Sequence, residues 1–178
     1  MKAVLDACIL YPPVLRDIFL GAAEAGLYAP LWSERILEEW VRATDKLGHM
    51  AAARVQAALV AARFPRAMQR AAPQIESRLI LPDANDLHVL AVAIAGSADC
   101  IITFNARDFP RHILAAEGLD RRDPDGFLWE LWSHHPAEMA AVIAGVHATS
   151  EAMAGGAVSL RALLKRAQCP RLAKAVTA

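Results

Sequence analysis

The stretch LILPDANDLHVLAVAIAGSADCIITFNARDFP, residues 79–110, decides the fold class of this chain. Leu79–Leu81 is a short apolar run, which is typical of a buried strand. Leu87–Ala95 is long and apolar enough for a buried helix, and Gly96 then interrupts it. Cys100–Thr103 is a second apolar run of strand length. A strand, a helix and a strand in succession predict a parallel sheet covered by helices.

The residues before this stretch continue the same alternation. Ala3–Leu5 and Leu27–Leu31 are short apolar runs that predict two further strands. Between them Pro12 and Pro13 open a predicted helix over 14–25. Ser33 is a natural N-cap for the next helix, and we expect additional helices over 49–64 and from Pro65. We therefore predict an α/β fold of three layers, with a central parallel sheet of about four strands flanked by helices.

The chain changes character after about Gly118. We expect helices beginning at Asp123–Pro124 and spanning 136–153 and 159–167, because apolar residues recur there at helical spacing. No strand pattern is evident in this region. We accordingly divide the chain into an α/β domain over 1–118 and a helical C-terminal extension over 119–178.

Composition and charge restrict the class of protein. Hydrophobic residues make up 56% of the chain, which is typical of a globular protein, and 19 basic residues balance 19 acidic ones. A neutral chain can bind nucleic acid only through a local site. The three cysteines are Cys8, Cys100 and Cys169, whose wide spacing suggests neither a disulfide framework nor a zinc site. No apolar run has the length of a membrane span or a signal peptide, so we expect a cytoplasmic protein.

Acidic and amide side chains follow three of the predicted strands. Asp6 ends the first, Asp83 and Asp86 follow Leu79–Leu81, and Asn105 and Asp108 follow Cys100–Thr103. The carboxyl ends of parallel strands form the functional edge of an open α/β sheet, so these side chains should converge. Clustered carboxylates repel one another unless a cation offsets their charge. Hard oxygen ligands select Mg²⁺ or Mn²⁺ over zinc, and such an ion can promote phosphodiester hydrolysis.

Several of these residues also have purely structural explanations. Asp83 as an N-cap with Asp86 three positions later resembles a capping box. Glu38 and Glu39 could belong to a solvated helix face, and His88 is most simply a surface histidine. Asp6 is harder to explain structurally, because a carboxylate at the end of a buried strand is costly without a partner.

Four segments resemble the signature segments of PIN domains. They are Val4-Leu5-Asp6, Ser33-x-x-Ile36-Leu37-Glu38-Glu39-Trp40, Asp83-x-x-Asp86-x-x-Val89-Leu90-Ala91 and Ile102-Thr103-Phe104-Asn105-x-x-Asp108-Phe109-Pro110. The resemblance covers residues 1 to about 118. It implies a Mg²⁺- or Mn²⁺-dependent ribonuclease, and many such proteins are VapC-type toxins of bacterial toxin–antitoxin pairs.

The resemblance also implies roles for individual residues. Asp6, Glu39, Asp86 and Asp108 correspond to the acidic quartet that binds metal and carries out catalysis. Glu38 is the rival of Glu39, because the two are adjacent in the sequence. Further residues of the site would be Asp83, Thr103 and Asn105. Many PIN domains have aspartate where this chain has Asn105, which leaves open whether one or two ions bind.

The implied partners are an RNA substrate, a cognate antitoxin protein and a second copy of the chain. The apolar helix Val14–Leu20 and the helix Ser33–Thr44 are the predicted docking surfaces for the antitoxin. Two alternatives to the nuclease remain at this point. A PIN-like domain could have lost activity and serve as a binding module, an option that Asn105 keeps open. A phospho-receiver domain would need a lysine after a late strand, and the sequence has none between Lys46 and Lys165.

Overall fold

Five strands form one parallel sheet in the computed structural model, which describes residues 1–177 without the side chain of Lys46. The strands are β1 (Lys2–Leu5), β2 (Ala29–Ser33), β3 (Met68–Gln69), β4 (Cys100–Ile102) and β5 (Asp120–Arg122). Their order in the sheet is β3-β2-β1-β4-β5, and every neighbouring pair runs parallel. The N-terminal strand therefore lies at the centre of the sheet, where Ala3, Val4 and Leu5 are fully buried.

Eleven α-helices are found over the same residues. In chain order they are α1 (Ala7–Leu10), α2 (Pro13–Glu24), α3 (Glu34–Ala43), α4 (Met50–Arg63), α5 (Pro73–Glu76), α6 (Leu87–Ala95), α7 (Arg111–Ala116), α8 (Pro124–His134), α9 (Pro136–Ala154), α10 (Leu160–Arg166) and α11 (Pro170–Val176). Two short 3₁₀ helices cover Asp45–Leu47 and Ala84–Asp86. The predicted α/β class with a parallel sheet and a helical C-terminal region is confirmed.

The chain divides into two compact units. The first combines Met1–Tyr11 with Ala29–Arg122 and contains the whole sheet. The second combines Pro12–Tyr28 with the residues from Asp123 onward, and it is helical throughout its described part. Helix α2 thus belongs to the second unit although it lies between two strands in the sequence. The division into 1–118 and 119–178 remains a prediction about domains.

The second unit has its own core. Phe19, Tyr28 and Phe127 form a buried aromatic group, with ring centroids 5.3 to 6.3 Å apart. The buried carboxylate of Asp125 accepts hydrogen bonds from the backbone N–H groups of Arg171 and Leu172, at 2.8 and 3.0 Å. These N–H groups belong to the first turn of α11 and lack intrahelical partners. Asp125 therefore caps a helix that lies far from it in the sequence.

One predicted strand and one predicted helix were wrong, and strands β3 and β5 were not predicted. Leu79–Leu81 is not a strand, because Leu79 and Leu81 bury their side chains while the backbone pairs with no neighbour in the sheet. The edge position beside β2 is taken by β3, where a short helix from Pro65 was predicted. Strand β5 was missed because its residues are Asp120, Arg121 and Arg122, and charged residues are common on edge strands.

Candidate metal centre

Asp6 lies directly after the central strand, at the carboxyl end of the sheet. Its backbone N–H donates to the carbonyl of Ile102 at 3.2 Å, which extends the pairing of β1 with β4 by one residue. The side chain is 9% exposed, and its Oδ2 accepts a 2.6 Å hydrogen bond from the hydroxyl of Thr103. The Sγ of Cys8 donates to the same oxygen at 3.2 Å. Asp6 is thus a buried carboxylate held in one orientation by two side chains.

Asp83, Asp86 and Asp108 form the tightest group of carboxylates. One oxygen from each of the three lies within 4.8 Å of the others. Asp83 precedes the 3₁₀ helix Ala84–Asp86, and its Oδ1 accepts from the backbone N of Asn85 at 2.8 Å. Asp83 therefore caps this turn, as the capping interpretation predicts. The capping hydrogen bond therefore holds Asp83 beside the carboxylates of Asp86 and Asp108.

Asn105 connects the two sides of the centre. Its Nδ2 donates to Oδ2 of Asp86 at 3.2 Å, and its backbone N–H donates to the hydroxyl of Thr103 at 2.9 Å. Since Thr103 in turn donates to Asp6, a continuous chain of hydrogen bonds runs from Asp6 to Asp86. The amide at position 105 stabilises the ionised form of Asp86 where a further carboxylate would repel it.

The two adjacent glutamates of α3 have different surroundings. Oε1 of Glu39 lies 2.9 Å from Nε2 of His88 and 3.4 Å from Nε of Arg35, and the side chain is 30% exposed. Glu38 is 61% exposed and makes only a 3.6 Å ion pair with Arg42. Residues that are adjacent in a helix point about 100° apart, so only one can face the carboxylates. The geometry favours Glu39.

The electrostatics of the centre converge on Asp86. Burial and, after it, the negative charges of Asp6, Asp83, Asp108 and Glu39 together raise the pKa of Asp86 to about 6. All four groups act on one carboxyl, and the charge of Asp6 has the largest effect among them. A bound cation would remove this repulsion and favour the ionised form.

Cys8 takes part in the centre as a neutral donor. Burial, followed by the charge of Asp6, raises the pKa of the Cys8 thiol to about 12. The thiol therefore stays protonated at neutral pH, where it donates to Asp6 and is itself contacted by the backbone N–H of Phe104 at 3.4 Å. Its role in the hydrogen-bond network was not evident from the sequence.

An ion pair joins the two segments that carry the acids. Arg78 donates from Nη1 and Nη2 to the two carboxylate oxygens of Glu117, at 2.6 and 2.8 Å. Arg78 precedes Asp83 and Asp86 in the chain, and Glu117 follows Asp108. Such a bidentate pair fixes the relative orientation of the segments more than a single contact would.

The structure therefore brings together most of the predicted residues. Asp83, Asp86 and Asp108 are close neighbours, Asn105 and Thr103 connect them to Asp6, and Glu39 acts on Asp86 through its charge. Glu38 lies apart from this group. Two contacts of Glu39 were not recognised in the sequence. His88 is 4% exposed rather than a surface histidine, and Arg35 was not considered.

The donor set fits a hard divalent cation. Its closest groups are carboxylates, and no other cluster of three or more acidic, histidine or cysteine ligands occurs among the described residues. The excess of negative charge at Asp86 is what Mg²⁺ or Mn²⁺ would offset, and oxygen ligands are what these ions prefer. None of the helices within residues 1–177 is both long and apolar enough to cross a bilayer.

One comparison with known proteins gives a result. A family model described as PIN domain matches residues 2–107, which is more than half of the chain. The match contains Asp6, Glu39, Asp83, Asp86 and Asn105, and it ends one residue before Asp108. No curated protein and no solved structure matches the chain.

Proposed function

The chain belongs to the PIN-domain family, whose members are generally nucleases, and we propose that it is a metal-dependent endoribonuclease. Its substrate would be RNA, and its reaction would be hydrolysis of an internal phosphodiester bond. We further propose that the protein acts in the cytoplasm, as the toxin of a type II toxin–antitoxin pair.

The observation that carries the proposal is the convergence of carboxylates on Asp86. Oxygens of Asp83, Asp86 and Asp108 lie within 4.8 Å of one another, and the charges of two further acids, Asp6 and Glu39, also raise the pKa of Asp86. A purely structural role would not need so many like charges at one place, because their repulsion opposes folding. An ion-binding role explains why they are gathered there.

We assign the roles of the acids from this arrangement. Asp86 and Asp108, with Asp83 beside them, would hold Mg²⁺ or Mn²⁺ directly. Asp6 and Glu39 would complete the centre as ligands or as the general base, consistent with the quartet Asp6, Glu39, Asp86 and Asp108. When bound, such an ion lowers the pKa of water and stabilises charge on a leaving oxygen.

Residues of the chain around the acids prepare the centre for that chemistry. Thr103 and Cys8 hold Asp6 by hydrogen bonds, so its free oxygen has a fixed direction. Asn105 fixes Asp86 in the same way. Side chains held in advance lose little entropy when a ligand binds, and this preorganisation is a large part of catalysis.

The proposed partners follow from the toxin role. A toxin nuclease has to be inhibited by an antitoxin, and a pair of chains would offer two sites on one assembly. The apolar face of α2 is a poor candidate for docking the antitoxin. Leu15, Ile18, Phe19 and Leu20 are at most 2% exposed, so this face is used by the core of the second unit. Helix α3 is the better candidate for docking the antitoxin, because it has exposed residues in the first unit.

The experiment is a cleavage assay with labelled single-stranded and structured RNA, in Mg²⁺, Mn²⁺ or EDTA. We expect cleavage that needs the ion and is lost in Asp6→Asn and Asp86→Asn. The matched control is Asp45→Asn, which changes an exposed aspartate outside the centre. Failure of the folded wild-type protein to cleave any RNA with either ion would contradict the proposal.

One observation favours a second candidate function, a binding module of the PIN family without activity. Asn105 donates to Asp86 at the position where many PIN domains have an aspartate. An amide there leaves one charge fewer to hold a second ion. Restoring the acid distinguishes the two candidates. If wild-type protein is inactive and Asn105→Asp cleaves RNA with Mn²⁺, the chain is a binding module, whereas activity in both supports the nuclease.

A further inference from the structure

A cavity of 550 Å³ lies next to the acidic centre within the first unit. Its walls come from the end of β2, from α3, from the chain between β3 and α5, and from α6. Its charged lining consists of three arginines and three glutamates, Arg35, Arg42, Arg70, Glu34, Glu38 and Glu76. Ligand sites for small molecules usually enclose about 300 to 1,000 Å³, so one nucleotide can be accommodated.

Two residues connect the cavity to the centre. His88 and Arg35 both line the cavity, and both contact Oε1 of Glu39, at 2.9 and 3.4 Å. Both ring nitrogens of His88 are buried, and neither makes a well-directed hydrogen bond to another described residue. An RNA strand whose backbone reaches the carboxylates of the centre would therefore place a neighbouring nucleotide in the cavity.

The arginines of the cavity differ in how strongly their guanidinium groups are already paired with carboxylates. Arg35 pairs with Glu39 and Glu76 and donates to the carbonyl of Asn85, so its guanidinium is fully engaged. Arg42 makes a 3.6 Å pair with Glu38 in which both side chains are more than 60% exposed. Exposed pairs of this kind contribute little and can exchange for a phosphate. Arg70 is exposed at the cavity wall.

The remaining surface of the cavity is partly apolar. Met68 is 37% exposed on the edge strand, and Val92 lines the cavity from α6. Thioether and aliphatic groups give a base or ribose a surface to pack on, whereas the arginines attract the phosphate. The combination of a half-apolar wall with two available guanidinium groups fits a nucleotide better than a purely apolar or purely anionic ligand.

We propose that this cavity binds one nucleotide of single-stranded RNA next to the bond that is cut, with Arg42 and Arg70 contacting its phosphates. The inference rests on the proposed ribonuclease function, and it adds a substrate-binding subsite outside the acidic centre. The cavity has no excess of positive charge, because three glutamates line it beside three arginines, so the attraction of a phosphate depends on Arg42 and Arg70 individually.

The test compares RNA binding by wild-type protein, Arg42→Ala, Arg70→Ala and the control Arg66→Ala. Arg66 is an exposed arginine that precedes β3, whereas Arg70 follows it, and Arg66 does not line this cavity. Binding of a fluorescent single-stranded oligonucleotide is measured in EDTA, which prevents metal-dependent cleavage, at several salt concentrations. We expect Arg42→Ala and Arg70→Ala to bind about 10-fold more weakly, with the slope of log K against log salt reduced by about 0.7 for each lost phosphate contact. Arg66→Ala should match wild type.

A cleavage assay in Mg²⁺ gives the second measurement. Arg42→Ala and Arg70→Ala should raise KM with kcat unchanged, because they remove binding remote from the reacting bond. If Arg42→Ala and Arg70→Ala bind RNA with the same affinity and salt slope as Arg66→Ala, the inference is wrong. The same result is expected if a protein side chain, and not a nucleotide, occupies the cavity. If wild-type protein binds and cleaves RNA normally in that experiment, only the subsite is wrong. If wild-type protein neither binds nor cleaves RNA, the ribonuclease function fails with it.

Discussion

Nε2 of His88 lies 2.9 Å from Oε1 of Glu39, the carboxylate of α3 whose charge acts on Asp86. His88 is 4% exposed and belongs to α6, whereas Glu39 belongs to α3. The contact therefore joins α3, which carries Glu39, to α6, which begins directly after Asp86. Groups that orient a metal ligand commonly matter almost as much as the ligand itself.

We predict that His88→Ala weakens Mn²⁺ binding by about 10-fold, because Glu39 keeps only Arg35 to orient it. Isothermal titration calorimetry measures the dissociation constant, and circular dichroism establishes that the variant is folded. His88→Gln keeps a polar side chain in this position and should recover part of the affinity. His112→Ala, on the exposed surface of α7, is the control. Equal Mn²⁺ affinity in folded His88→Ala and wild type would disprove the positioning role.

A second prediction separates Glu39 from Glu38. Glu39→Gln removes the carboxylate that faces the centre, and we expect kcat for RNA cleavage to fall by about 100-fold, the scale of a lost general base. Glu38→Gln should keep the kcat and the Mn²⁺ affinity of wild type, since Glu38 pairs with Arg42 instead. The two variants differ only in position and are therefore matched in chemistry. A larger loss of kcat in Glu38→Gln would reverse the assignment.

Thr103 provides a third prediction, on stability. Thr103→Val preserves the shape of the side chain and removes the hydroxyl that donates to Asp6 and accepts from Asn105. We expect the free energy of unfolding to fall by about 1 to 3 kcal/mol, because buried polar groups lose their partner. Urea denaturation measures the change. Thr103→Ser keeps the hydroxyl and should lose less, so an equal loss in both variants would show that the hydrogen bonds are not the cause.

The fourth prediction concerns pH. Burial and neighbouring acids raise the pKa of Asp86 to about 6, above a value of about 4 in an unfolded chain. In EDTA the folded protein therefore holds this proton at pH values where the unfolded chain has lost it. The contribution of Asp86 to stability is then greatest below about pH 4, and it declines as the pH rises through 6.

Calorimetric melting of wild type and Asp86→Asn in EDTA, between pH 4.5 and 7.5, tests this sign. The melting temperature of Asp86→Asn relative to wild type should increase with pH, since the amide is never ionised. Asp45→Asn, at an exposed position, should show no such trend. A constant difference between Asp86→Asn and wild type over this range would mean that Asp86 is not under electrostatic strain.

Local patterns in the sequence predicted the elements that position the acids. Ser33 accepts from the backbone N–H of Ile36 as the predicted cap, and α6 spans the predicted 87–95. Asp6 was expected to follow a buried strand, and it does. These features depend on neighbours in the sequence, so a local pattern is enough to indicate them.

Features that depend on distant partners could not be predicted in the same way. Three apolar residues at Leu79–Leu81 do not specify a neighbouring strand, and the structure gives that place to Met68–Gln69. The burial of His88 depends on its packing beside Glu39, 49 positions earlier in the chain. Asp83 was predicted both as a cap and as a further residue of the site, and the fold shows that it is both, with an oxygen within 4.8 Å of Asp108.

The central place of β1 in the sheet has a consequence for synthesis of the protein. Asp6 is synthesised before its neighbours in the centre, which include Thr103 and Asn105, and Asp108 follows about 100 residues after it. At about 5 to 20 residues per second, those residues take roughly 5 to 20 seconds to be added. Throughout that interval the nascent chain contains Asp6 but not Asp108. The long-range strand pairing thus delays assembly of the centre until most of the first unit has been translated.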